Sequence, residues 1–236
     1  HKQGDSAILL FDKCLKRDFT IIAYPKKNYQ IFYRILYFYF FALYWKTAKE
    51  VLMKLSTRQL AQTALLLAIC IASQFFKNLS VYITGPVVNT TIIIAVLAVG
   101  LWSGLFISVI APITAFFISG SPIMAAIPLM FPAVMGGNMI LAVCTWYATR
   151  YFQKKMKFIG SLPAGLIAGS VLKAAFMGIV IVLILLPAFG GNIAARLPKP
   201  EALPGVLATA KVTFSVTQLI TSLTGSLLAY VIWMPL

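Results

Sequence analysis

The sequence predicts an all-α integral membrane protein, a bundle of about six transmembrane helices with the N and C termini both in the cytoplasm. Its 236 residues are 61% hydrophobic and only 11% charged, with a mean hydropathy of +0.92, far from the average of soluble globular domains. Apolar runs of the length that crosses a bilayer, about 20 residues, recur from position 58 to the end. Basic residues cluster beside these runs, as they do at the cytoplasmic ends of membrane helices.

Residues 1–52 form an N-terminal extension that is richer in charge than the rest and carries the aromatic run YQIFYRILYFYFFALYW. This run fits an extra helix that spans the membrane or lies in its interface, where aromatic side chains are enriched. The extension also fits sequence outside the working domain, because MKLSTRQLAQTALLLA from Met53 reads like a natural start. We favour the second interpretation and assign the membrane domain to residues 53–236.

Six helices are predicted in the membrane domain, separated by segments rich in turn-forming residues. The second is short for a full span, so we expect either a tilted helix or a re-entrant segment formed by the preceding VYITGP. The predicted helices cover residues 58–76, 87–101, 103–119, 127–149, 161–188 and 206–234.

The distribution of charge predicts the orientation. Eleven of the 20 Lys and Arg residues precede position 59, and four more lie in RYFQKKMK. Both clusters are cytoplasmic under the positive-inside rule, so the loops 77–86, 120–126 and 189–205 are expected to face outside. The same clustering argues against nucleic-acid binding, which a formal charge of +15 would favour in a soluble protein.

Several kinds of chemistry lack the residues that they need. The predicted spans contain no Asp, Glu or His, which excludes the usual intramembrane sites for coupling ions, metals and Ser-His-Asp catalysis. The three cysteines are widely separated and indicate no disulfide framework, and no GxxxxGK[ST] phosphate-binding loop occurs. We therefore expect no cofactor and no metal, and we expect any uphill transport to be driven by another protein.

A lysine, Lys173, lies within the fifth predicted helix. It shares a helical stripe with Gly165, Gly169 and Met177, so its stem should point towards protein or a cavity and away from lipid. An uncompensated charge near the middle of a bilayer costs about 3 kcal/mol or more, and no carboxylate in the predicted spans can compensate it. Two explanations stay open: an anionic ligand, or a structural cap of backbone carbonyls and hydroxyls.

Two further sets of polar residues recur at helical spacing. Each set fits a ligand-lined cavity or hydrogen bonds between helices. The sets are Lys211, Ser215, Gln218, Ser222 and Gly225 on one face of helix six, and Asn138 with Ala142 and Thr145 in helix four.

Small residues recur on the first predicted helix, where Ala64, Ala68 and Ala72 are spaced by four. Such spacing lets a second helix approach closely, because tight van der Waals contact holds membrane helices together. The second helix belongs either to this chain's own bundle or to another protein.

The segments TRQLAQTALLLAICIA, YITGPVVN and LAVGLWSGLFISVIAP together resemble the substrate-binding S-component of an energy-coupling factor (ECF) transporter, over residues 55–236. The resemblance implies a subunit in a bacterial cell membrane that binds a vitamin or similar micronutrient from outside. It implies partnership with a membrane T-component, contacted by Ala64, Ala68 and Ala72, and with two cytoplasmic ATPases. The ligand site that it implies comprises Asn78, Tyr82, Asn138, Lys173, Lys211 and Gln218.

The sequence therefore predicts the substrate-capture subunit of an ATP-driven uptake transporter, and not an enzyme. Because Lys173 and Lys211 have no carboxylate to neutralise them, we expect an anionic substrate such as a pantothenate-like or nicotinate-like carboxylate. The alternatives are a membrane enzyme that uses a buried lysine and a stand-alone facilitator.

Overall fold

The computed structural model describes residues 56–78, 80–119, 122–127, 129–150, 158–195, 197 and 199–234. The N-terminal extension, residues 1–52, and the proposed boundary at position 53 lie outside these ranges. All regular secondary structure within them is helical.

Ten α-helices follow one another in the described residues. A π-helical segment, Gly178–Leu185, continues the sixth helix, and short 3-10 turns occur at Phe75–Asn78 and Pro200–Ala202. The helices are α1 Thr57–Gln74, α2 Val81–Ala98, α3 Leu101–Ser119, α4 Pro122–Ala126, α5 Met130–Arg150, α6 Phe158–Met177, α7 Leu186–Ala188, α8 Gly190–Ala194, α9 Leu203–Phe214 and α10 Val216–Trp233.

Five stretches of the described residues are long and apolar enough to cross a membrane. The fourth runs from α6 through the π segment to α7, and the fifth joins α9 and α10. Together with α1, which has 18 residues, they form the bundle of about six helices that the sequence predicts, so the prediction of an all-α membrane protein is confirmed. The five stretches are Val81–Ala98, Leu101–Ser119, Met130–Arg150, Leu162–Ala188 and Leu203–Trp233.

Helix α1 begins with a capping box. The Ser56 hydroxyl accepts a hydrogen bond from the Gln59 backbone N–H, and the Gln59 side chain accepts one from the Ser56 backbone N–H, which satisfies two donors that a helix start leaves open. The helix packs against α2 and α3. It thus lies at the edge of the bundle, with one face turned away from the other helices.

The predicted start of the second helix at position 87 is wrong. Helix α2 begins at Val81, where the Ser80 hydroxyl accepts a hydrogen bond from the Tyr82 backbone N–H at 3.1 Å. Pro86 lies inside the helix, which continues past it to Ala98, although its missing N–H leaves the Tyr82 carbonyl without its usual helical donor. The segment VYITGP is therefore part of a full-length helix, and the predicted loop 77–86 is reduced to the residues before it.

The predicted single helix 206–234 is also wrong, because the chain leaves helical geometry at Ser215, with φ −120° and ψ −84°. The Ser215 hydroxyl donates to the backbone carbonyl of Lys211 at 2.5 Å, and hydroxyls that bond back to their own helix in this way compete with its regular pattern. Helices α9 and α10 result. The predicted loops 120–126 and 189–205 likewise contain the short helices α4 and α8.

Helix α6 packs against α5 and α10, and α2 packs against α10, α3 and α5. The largest apolar core cluster, which we call the Met177 cluster, joins the end of α3, the start of α5, the π segment and α9. Its buried members include Met124, Ile127, Met130, Ala133, Met177, Ile181, Leu185, Leu186, Ile193 and Ala210.

Candidate functional site

Lys173 is the one buried charged residue among the described side chains, with 2% of its surface exposed. Its Nζ donates hydrogen bonds to Asn89 Oδ1 of α2 at 2.5 Å and to Asn138 Oδ1 of α5 at 2.7 Å. Both asparagines are buried as well. The ammonium of Lys173 on α6 is thus held by two neutral amides, one from α2 and one from α5. We call these three residues the Lys173 cluster.

The orientation of Asn138 follows from a proline on a neighbouring helix. Pro112 lies inside α3 and has no N–H, so the Ser108 carbonyl one turn earlier lacks its usual helical donor. Asn138 Nδ2 donates to that carbonyl at 3.4 Å. Because the amide nitrogen is engaged there, the amide oxygen of Asn138 points to Lys173.

Asn89 is positioned by a close approach of α2 and α10. A Cβ atom at Gly225 of α10 would lie 2.7 Å from Asn89 Cβ and 2.7 Å from the Pro86 carbonyl oxygen, so only glycine allows the helices this near. The neighbouring Thr90 hydroxyl donates to the Gly225 carbonyl at 3.0 Å. This contact fixes the turn of α2 that carries Asn89.

The stem of Lys173 lies against α5, as its stripe of small residues predicts. A Cβ atom at Gly137 would lie 2.8 Å from Met177 Cγ and 3.6 Å from Lys173 Cγ. On the same stripe, a Cβ atom at Gly169 would lie 2.9 Å from Cys144 Cβ. The predicted protein-facing side of this helix is therefore confirmed.

Polar and apolar layers enclose the Lys173 cluster along α6. One turn before the lysine, the buried hydroxyl of Ser170 is hydrogen-bonded to Ser222 at 3.1 Å and to Ser226 at 3.0 Å, both on α10. One turn after it, Met177 is fully buried in the Met177 cluster. The ammonium is therefore covered by apolar side chains at the end of the bundle where α1 ends and α2 begins.

The other predicted ligand residues lie outside this cluster. Lys211 is exposed in the last turn of α9 and makes no contact with Lys173, while Gln218 is half-buried in the first turn of α10. Tyr82, in the first turn of α2, is 59% exposed, and Asn78 lies in the 3-10 turn that precedes it. The break at Ser215 separates Lys211 from the rest of the predicted polar face, of which Ser222 and Gly225 are buried.

All three alanines of the α1 stripe, Ala64, Ala68 and Ala72, are exposed. Leu65 and Ile69, between them, are 64% and 45% exposed. The close approach of α1 to α2 and α3 therefore uses a different face, and the stripe takes no part in the packing of the described bundle.

Sequence reasoning missed Asn89 and Gln74. Asn89 and Asn138 are the only asparagines in the five membrane-length stretches, and such rarity is a usable signal, because polar side chains inside a membrane need a partner. Gln74, the last residue of α1, is buried with 2% exposure. Its burial depends on how α1 meets α3, which the sequence pattern does not reveal.

A bundle of membrane-length helices around one buried ammonium with neutral partners defines a multi-pass membrane protein with an internal polar site. Residues 58–236 match the family described as ECF transporter, substrate-specific component, and the chain belongs to this family. It is accordingly a substrate-specific subunit of a transporter that works with a T-component and ATPases, and not an enzyme. In comparisons with curated proteins and with solved structures, no similar protein was found.

Proposed function

We propose that this subunit captures a small anionic micronutrient and that Lys173 supplies the positive charge that binds it. The observation that carries the proposal is the incomplete set of partners around the ammonium. An ammonium has three N–H donors, and two of them are taken by Asn89 and Asn138. Among the described residues, the third has no acceptor, and no carboxylate neutralises the charge.

The surroundings of Lys173 favour an anion over a neutral ligand. The amide of Asn89 carries N–H donors at Nδ2 beside the oxygen that accepts from Lys173, so donors from two side chains lie close together. A carboxylate or phosphate would accept from both. Inside the bundle such a contact is stronger than at an exposed surface, because little water screens it.

Delivery is proposed to occur by movement of the subunit against its T-component, with the exposed stripe Ala64, Ala68 and Ala72 as the contact. The exposure of the stripe supports this, because the described bundle does not use it. We also propose that the basic clusters mark the cytoplasmic side of a bacterial plasma membrane, so that the end of α1 and the start of α2 face outside. Asn78, Tyr82, Lys211 and Gln218 stay predictions as ligand contacts.

The function is tested by purifying the protein from its host membrane and identifying bound small molecules by mass spectrometry. We expect one vitamin-sized molecule with a carboxylate or phosphate. A bound cation, or uptake into vesicles by this chain without its T-component and ATPases, would contradict the proposal, and unaided uptake would indicate a facilitator.

A further inference from the structure

Gln74, at the end of α1, holds an acceptor that no described residue uses. Its Nε2 donates to the Ala111 carbonyl of α3 at 3.1 Å and to Cys70 Sγ at 3.7 Å. Its Oε1 is buried and has no hydrogen-bond partner, the one such side-chain atom among the described residues. Because the amide nitrogen is held by Ala111, the direction of the amide oxygen is fixed.

A buried acceptor without a donor destabilises a protein, and more so where lipid replaces water. A methionine would fill the same volume without that cost. The Ala111 carbonyl does not require Gln74, because it also accepts from the Thr114 hydroxyl at 3.1 Å. Among the described residues, the one contact between helices that needs the Gln74 amide is therefore a bond to a carbonyl that already has a second donor.

Gln74 lies at a depth along the bundle axis similar to that of Asn138 in the Lys173 cluster. Cys70 of α1, Ala111 of α3 and Ala142 of α5 belong to one buried cluster. Gln74 follows Cys70 by four residues and Asn138 precedes Ala142 by four, in helices that run in opposite directions. Both amides thus lie about one turn, roughly 6 Å, from the same cluster and towards the same end.

The carbonyls that hold these two amides lead to the same placement. Asn138 bonds to Ser108 and Gln74 to Ala111. Three residues of an α-helix rise about 4.5 Å and turn by about 300°, so the carbonyls are roughly one turn apart on adjacent sides of α3. Of the two carbonyls, that of Ala111 is nearer the end of α3. Gln74 therefore bonds to α3 closer to the end of the bundle at which α1 ends.

We propose that Gln74 Oε1 accepts a hydrogen bond from the bound molecule. The inference rests on the proposed function and narrows its substrate class. One vitamin-sized molecule carries both the anionic group that meets Lys173 and an O–H or N–H donor that reaches Gln74 Oε1. Hydroxy acids and amide-bearing acids fit this requirement, and simple carboxylates without a donor do not.

The first test needs no ligand and compares thermal unfolding of the ligand-free protein in detergent micelles. Gln74→Met removes the unpaired acceptor and should raise the unfolding temperature. Thr63→Val is the matched control on the same helix, because the Thr63 hydroxyl is buried and already paired with Ser103 at 2.8 Å; it should lower that temperature. A lower unfolding temperature for Gln74→Met would mean that the amide stabilises the ligand-free protein, through its bond to Ala111 or through a structural water, and would overturn the inference whatever the protein transports.

The second test uses two probe acids, pantothenate, which has hydroxyl and amide N–H donors, and nicotinate, which has none. We expect pantothenate to bind at least about tenfold more tightly than nicotinate, and Gln74→Met to weaken pantothenate binding by about tenfold. Equal binding of the two acids, or pantothenate binding that Gln74→Met leaves unchanged, would overturn the inference but not the anionic substrate. If neither acid binds, the first test decides the inference, together with the structure of any molecule that copurifies. A copurifying molecule without an O–H or N–H donor would overturn the inference.

Discussion

Replacing Lys173 with methionine tests the central charge of the site. The substitution keeps the length and the apolar bulk of the side chain, and it removes an ammonium that donates to Asn89 and Asn138 at 2.5 and 2.7 Å. Two buried amide oxygens then lose their donor, at about 1–3 kcal/mol each. The bundle is relieved of a buried charge, which costs about 3 kcal/mol or more. Because these terms oppose each other, we expect a folded protein whose free energy of unfolding changes by less than about 3 kcal/mol.

Binding should respond more strongly than folding to Lys173→Met. An anion that pairs with a desolvated ammonium loses about 2 kcal/mol or more when that ammonium is removed, which corresponds to an affinity about thirtyfold lower. The assay is isothermal titration calorimetry of the detergent-solubilised protein with the molecule that mass spectrometry identifies, beside a thermal unfolding curve for each variant. An unchanged affinity in a well-folded Lys173→Met protein would refute the reasoning and leave the lysine a structural role.

Two control variants separate charge from packing. Asn89→Leu/Asn138→Leu keeps the ammonium but removes both its acceptors, and an unpaired buried charge should lower the free energy of unfolding by about 3–5 kcal/mol. Adding Lys173→Met to this pair removes the charge as well and should restore most of that loss. If the double and triple variants are equally stable, Lys173 is not charged in the ligand-free protein.

Other parts of the molecule give further predictions. Ala64→Leu/Ala68→Leu should abolish uptake in cells that contain the T-component and ATPases while ligand affinity stays unchanged, because the exposed stripe can lose only an external contact; loss of both would indicate packing within the bundle. Uptake by the unmodified protein should disappear when the ATPases are omitted from reconstituted vesicles. Gly225→Val should lower the free energy of unfolding in micelles by about 1–3 kcal/mol, since a Cβ there would lie 2.7 Å from Asn89 Cβ. Gly191→Ala is its control and should have little effect, because an added Cβ there would lie more than 4 Å from every atom outside its own stretch of helix.

The sequence was sufficient to predict the features that depend on local composition. Apolar runs predicted the helices, and the glycine stripe correctly predicted that Lys173 faces protein. The sequence misplaces the start of α2 because VYITGP contains the turn-forming residues Gly85 and Pro86, whereas the Ser80 cap and the packing of α2 on α10 stabilise a helix that begins earlier. The break at Ser215 has no proline or glycine to indicate it.

The composition of the site depended on contacts that no single helix reveals. Asn138 was recognised from its own polarity, but its role depends on a carbonyl that Pro112 frees on another helix. Asn89 was overlooked because it stood at the start of a helix that was predicted to begin at 87. The placement of Lys211 on one face with Gln218 and Ser222 assumes one straight helix, and the structure instead exposes Lys211 on α9, before the break at Ser215.

The π-helical segment Gly178–Leu185 follows Lys173 by one turn and carries Ile181 and Leu185 into the Met177 cluster. A π turn holds one residue more than an α turn, and π-bulges occur frequently at functional sites. Conversion of one such turn to α-helix shifts the register by one residue, which rotates every later side chain by about 100° around the axis. A change of one residue in the register of this segment would therefore turn the apolar side chains that cover the ammonium, while the close contacts of Gly165 and Gly169 with α5 hold the first half of the same helix in place.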